Sequence, residues 1–375
     1  MSTQKGERVK AIRRPIVICL VVLGLLAAST QAWAASWIVQ TTPNPGSENS
    51  LLAVTTTSAS NAWAVGWYRT TGKQRTLIEH LSGSTWSKVT SPNVSGHDNR
   101  LYGVRATSSS NIWAVGVNAG PTADRGLIEH YDGSSWTIQP SAGGNNVDLF
   151  GVGALSTSNA WAVGDGPSGA FAEHYDGTSW TSVPVPGTAL GILFGVTLTS
   201  TGAWAVGTTV SSPQTTLIAQ YDGTAWSVVS SPDPSGTRNV LLGVSANSAS
   251  DVWGVGYFAN GTGELRTLVV HYDGSTWKRV ISPDRGTRDN VFNAVKAVSA
   301  TDVWAVGYDL NSSGLQRTLI EHYDGSTWTV QTSPNPSSLN DELFGVGSTS
   351  SSNTFAVGYQ GNGSAPMTLA MHCAC

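Results

Sequence analysis

Seven copies of one unit run through the chain. Trp-Ala-Val-Gly or a near copy begins at Trp63, Trp113, Trp161, Trp204, Trp253, Trp304 and Phe355, at spacings of 50, 48, 43, 49, 51 and 51 residues. A second string, close to His-Tyr-Asp-Gly-Ser-Thr-Trp, ends at Trp86, Trp136, Trp180, Trp226, Trp277 and Trp328. A third, near Leu-Phe-Gly-Val, opens each unit at Leu51, Leu101, Leu149, Leu193, Leu241, Phe292 and Leu343. Each unit carries four short apolar stretches and no helical periodicity, which argues against a helical solenoid.

This pattern predicts an all-β chain: a single seven-bladed β-propeller of four-stranded blades. The blades fall at about 51–90, 101–139, 149–184, 193–230, 241–282, 292–333 and 343–375 plus 35–42. In the sixth unit, strand A is read at Phe292–Val298, B at Val303–Tyr308, C at Thr318–Tyr323 and D at Thr327–Gln331. Asp324-Gly325 suggests a tight type I′ hairpin between C and D. The seventh unit stops where its fourth strand should begin, and Ala35–Pro45 matches Ser326–Pro336 closely. The N-terminal segment is therefore expected to complete the last blade and remove an open sheet edge.

Residues 1–34 read as an export signal. Lys5, Arg8, Lys10, Arg13 and Arg14 precede an apolar run from Ile16 to Ala28 and an Ala32-Trp33-Ala34 cleavage pattern. The run is short for a span of roughly 20 residues, so a secreted, extracellular protein is expected, with an uncleaved membrane anchor as the alternative. The full chain has net charge −4. Cleavage would remove those five bases and Glu7, leaving 15 basic and 23 acidic residues, net −8. Such a balance argues against nucleic acid as a partner, and after cleavage no membrane contact is expected. Cys19 would leave with the signal, and Cys373 and Cys375 alone make no disulfide framework; pairing with each other or with another chain stays open.

The unit resembles the propeller repeats of secreted bacterial proteins, a loose group related to kelch-like and Asp-box propellers. Asp302–Gly307 and His322–Trp328, with their counterparts, carry that resemblance. The Asp-box hairpin has the form Ser-x-Asp-x-Gly-x-x-Trp, whereas Asp and Gly are adjacent here, and the kelch double glycine is missing. The resemblance implies export and a propeller, and no sialidase activity is carried over.

Catalysis would need residues that break the repeat. His80, His130, His174, His271, His322 and His372 recur at one position per unit. Blades packed about 10 Å apart cannot bring them to one metal at about 2 Å, so they read as structural hydrogen-bonding groups between blades. The hairpin Asp residues and the repeated Glu79, Glu129, Glu173 and Glu321 are spaced likewise. No nucleophile–base–acid set, P-loop or zinc signature appears. No catalytic residue, metal or cofactor is therefore expected. Arg105 and Lys296 stand out because other units carry Thr, Gly or Ser there. Trp67 falls outside the repeated tryptophans.

The B–C loops and D–A links vary from unit to unit and should emerge on one face of the ring, where binding is expected. Ten bases lie in or beside them. The candidate ligand-binding residues are Trp67, Arg69, Arg105, Arg125, Arg266, Arg288, Lys296 and Arg317. The expected function is a non-catalytic binding or scaffold module for an extracellular protein or polysaccharide. The alternative is a carbohydrate-active hydrolase or lyase with a site at the channel mouth.

Overall fold

The computed structural model describes residues 36–350, 352–363 and 365–373; the segment read as an export signal lies outside them. Seven four-stranded antiparallel sheets follow one another, each in the order A-B-C-D from the channel outwards. The sixth runs Asn290–Ser299, Asp302–Leu310, Gln316–Tyr323 and Trp328–Val330. The N-terminal strand Trp37–Gln40 pairs antiparallel with the last strand, Ala365–Cys373, with Trp37 opposite Cys373 and Gln40 opposite Ala370. It is the outer strand of the seventh blade. Cys373 is fully buried and disulfide-bonded.

The repeated tryptophans tie each blade to the next. The strand B aromatic of one blade meets the strand D tryptophan of its successor edge-on, as in Trp63–Trp136 at 5.7 Å and Trp161–Trp226 at 5.0 Å. The same contact closes the circle through Trp304–Trp37 at 5.6 Å and Phe355–Trp86 at 6.2 Å. Such pairs contribute about 0.5–1.5 kcal/mol beyond the area they bury. All these rings are buried, so none is a sugar platform.

The histidines act within blades rather than between them. His322 stacks on its cross-strand neighbour Trp304 at 4.2 Å, and its Nε2 meets Asp302 Oδ1 at 2.8 Å. Five other blades repeat the contact with Asn or Asp at distances up to 3.2 Å. Blade four carries Gln220 for the histidine and Gly202 for the partner, losing both together. The ring lies flat on an indole of its own sheet, so its nitrogen points along the blade.

The hairpins also differ from expectation. Tyr323 pairs with Trp328, leaving a four-residue loop in which only Gly325 has positive φ, 95°. Asp324 Oδ1 accepts the backbone N–H groups of Ser326 and Thr327 at 2.8 and 2.9 Å. An Asx turn replaces the type I′ turn because the carboxylate satisfies those two amides directly. The same bonds hold the Asp324 carboxyl down at about 2.

The glycine ending each Trp-Ala-Val-Gly string has a steric cause. In every blade strand A bulges one residue after its opening Leu or Phe; in blade six the register jumps between Phe292 and Ala294. The bulge pushes a strand A carbonyl onto strand B, where a Cβ on Gly307 would lie 1.9 Å from Val291 O. Gly307→Ala is expected to cost about 1–3 kcal/mol, the scale of overpacking, read as a lower melting temperature.

Candidate functional site

The bulge puts one extra residue per blade at the channel end that bears the B–C loops and D–A links. These residues are Leu52, Tyr102, Phe150, Phe194, Leu242, Asn293 and Phe344. Six of the seven are apolar or aromatic, and all are only partly buried. Tyr102–Phe150 and Phe150–Phe194 touch at 5.5 Å between centroids. Asn293 breaks the circle, donating to Glu342 Oε1 and Leu343 O at 3.0 and 2.8 Å.

Beside this mouth an apolar cavity of about 560 Å³ opens where blades six, seven and one meet. Trp67 and Tyr359, from the second halves of two B strands, form its walls with Leu52 and Phe344 of the mouth; Leu315 and Leu339 come from the loops, and Pro366 from the start of the last C strand. Tyr359 is fixed by a bond from its hydroxyl to Gln316 Oε1 at 2.7 Å. Leu339 is 38% exposed and Trp67 is half-buried, so the cavity is open to an incoming side chain. Its volume lies within the roughly 300–1,000 Å³ usual for ligand sites.

Most loop-face arginines are committed to the protein itself. Arg266 Nη1 and Nη2 donate to Arg288 O and Thr287 O at 2.6 and 2.8 Å, and Nε lies 3.8 Å from Asp284. Arg317 donates to Ser337 O and Leu339 O and lies 3.7 Å from Asp341. Arg69 pairs with Glu48 at 2.9 Å, and Arg125 bonds Asn145 at 2.8 Å while staying exposed. Arg288 is exposed and its guanidinium makes no hydrogen bond among the described residues. The guanidinium fork suits this stapling, since one side chain satisfies two loop carbonyls at once.

Arg105 and Lys296 lie elsewhere, inside the channel on innermost strands of blades two and six. Seven valines, Val54, Val104, Val152, Val196, Val244, Val295 and Val346, narrow the channel between them and the apolar mouth. Burial pulls the Lys296 ammonium down to about 8, with repulsion from Arg105 adding to it. Burial lowers the Arg105 guanidinium as well. Of the sequence candidates, Trp67 lies at the apolar cavity and Arg105 and Lys296 in the channel, whereas the circle of bulge residues was not among them. Among the described residues no three His, Cys, Asp or Glu side chains converge to hold a metal ion.

The fold and the mouth define a seven-bladed β-propeller, a rigid ring with one variable face. No family model and no curated protein matches the chain. Among solved structures it resembles YCF48 bound to D1 peptide, at 16% identity and TM-score 0.59, over 92% of this chain and 99% of that one. YCF48 from Cyanidioschyzon merolae matches at 15% identity and TM-score 0.57, over 90% and 98%. The RRP9 WD40 repeats match at 10% identity and TM-score 0.60, over 91% and 99%. Identities this low establish a shared fold.

Proposed function

We propose that the chain is a secreted, non-catalytic binding module that takes an apolar side chain of a protein segment into the Trp67 cavity. The segment would run across the apolar mouth. The observation that carries this reading is an open cavity walled by Trp67, Leu52, Phe344 and Tyr359 on the variable face. Large rigid aromatics that are half-exposed beside a pocket are where binding energy concentrates. YCF48, a ring of the same fold, is bound to a peptide, which supports a peptide-like ligand over a polysaccharide. Arg317 fits this reading too, because it holds the carbonyl of Leu339, a loop residue that lines the cavity.

The test is selection of peptides from a displayed library against the purified ring, with a glycan array in parallel. Selected peptides should carry a bulky apolar residue, and Trp67→Ala should weaken them by at least about 30-fold, the scale of a hot-spot loss of 2 kcal/mol. Phe344→Ala should act in the same direction. Peptides unaffected by both substitutions, or glycans bound in their place, would overturn the proposal.

A further inference from the structure

The half of the channel below the valine constriction, towards the A–B turns, is a separate cavity of about 260 Å³. Its walls are the residues that follow the valines. Five blades supply Thr55, Gly153, Thr197, Ser245 and Gly347 there, and the other two supply Arg105 and Lys296. Neither cation forms a hydrogen bond or an ion pair with the described residues, and Arg105 Nε is buried without a partner. No carboxylate lines the cavity. Two like charges enclosed together, with no anion from the protein, suffer both desolvation and mutual repulsion.

The surrounding hydroxyls are oriented to donate. Thr55 Oγ1 accepts the N–H of Ala106 at 3.1 Å, Thr197 Oγ1 that of Ala246 at 3.3 Å, and Ser245 Oγ that of Ala297 at 3.1 Å. Each bond spans two blades and leaves the hydroxyl proton free to point into the channel. The lining thus offers donors and positive charge.

We propose that this lower channel binds a small tetrahedral oxyanion, phosphate or sulfate, between Arg105 and Lys296. The guanidinium fork can grip two oxygens and the ammonium a third. The cavity is smaller than the roughly 300–1,000 Å³ of sites for drug-sized ligands, which favours a free ion. The site is independent of the Trp67 cavity, since the valine ring stands between them. An anion held there would act as a central clamp on blades two and six.

The purified ring should be titrated with sodium phosphate, and separately with sodium sulfate, against sodium chloride at matched ionic strength. A saturable rise in melting temperature is expected, roughly 4 °C when phosphate reaches 100 times its Kd. Calorimetry should report one site. Arg105→Thr and Lys296→Ser, which restore the residue types of other blades, should each weaken the anion at least about tenfold while melting no lower than the parent in chloride. Arg288→Ala, on the opposite face, should leave the effect intact. Crystals soaked in sodium tungstate should show anomalous density between Arg105 and Lys296. A chloride-matched response, a phosphate effect surviving the double variant, or tungstate bound only elsewhere would overturn the inference.

Discussion

A ring lacking residues 36–45 is expected to melt at least about 10 °C below the complete one. Trp37 is 5% exposed, packs edge-on against Trp304, and joins the cluster of Val306, Leu343, Leu369 and Met371. Removing a buried aromatic costs about 3–5 kcal/mol. The segment beyond it repeats the chemistry that ends strand D in other blades. Thr318 N donates to Asn335 Oδ1 at 2.8 Å and its hydroxyl to Pro334 O at 2.9 Å. In the last blade Thr368 N donates to Asn44 Oδ1 at 2.8 Å and its hydroxyl to Pro43 O at 3.0 Å. Gln40 Oε1 accepts from Trp86 Nε1 of the first blade at 2.6 Å. Deletion therefore opens a sheet edge and two blade contacts together. At roughly 0.7 kcal/mol per degree for about 340 residues, Trp37→Ala alone should lower the transition by about 4–7 °C. Ile38→Ala, on the same strand but 62% exposed, should barely move it. A deletion that melts with the parent would show that closure contributes nothing.

The difference between what was legible and what was not follows from where the repeat constrains chemistry. Blade number, strand order and closure were readable because Trp63, Gly66 and Trp86 and their counterparts each satisfy a local geometric demand seven times over. The bulge escaped notice although its signal is present: Leu51-Leu52 and Leu149-Phe150 are consecutive apolar residues in a strand that should alternate, and the second one faces the channel mouth. Arg105 and Lys296 were visible as departures from the pattern, but their meeting in one cavity depends on the ring closing blades two and six around a common axis. The roles of Arg266 and Arg317 were not readable, because their acceptors are main-chain carbonyls that any loop sequence supplies. The histidine contacts needed the cross-strand register, which places His322 beside Trp304 in its own blade.

The buried glutamates should give the ring an unusual response to pH. Glu79, Glu129, Glu173 and Glu321 are fully buried on strand C. Glu79 lies on the strand face of Leu77 and Leu81, which pack against the preceding blade. Glu173 accepts from Ser141 Oγ and Ala142 N, whereas both oxygens of the other three lack partners among the described residues. Burial raises Glu79 to about 8, Glu321 to about 9, Glu173 to about 7, and Glu129 well above the ordinary range. Below pH of about 4.5 these groups are protonated whether folded or not, and their contribution is complete. Between that value and the folded value the unfolded chain has lost a proton the native one keeps. Stability then falls as pH rises, by about 1.4 kcal/mol per unit for each group. His80, His130, His174 and His372 act oppositely: burial lowers them, so stability is lost as pH drops below about 6.5. A melting profile of the parent alone would mix the two effects, and the difference between parent and variant separates them. Glu79→Gln should come within about 1 kcal/mol of the parent near pH 5, where the native carboxyl is neutral like the amide, and exceed it by several kcal/mol near pH 8. Glu321→Gln should do the same, and the two gains should add because the groups lie in different blade interfaces. Urea denaturation at both pH values checks this. A Glu79→Gln gain that is equal at pH 5 and pH 8 would mean that the carboxyl ionises inside the ring as it does in water.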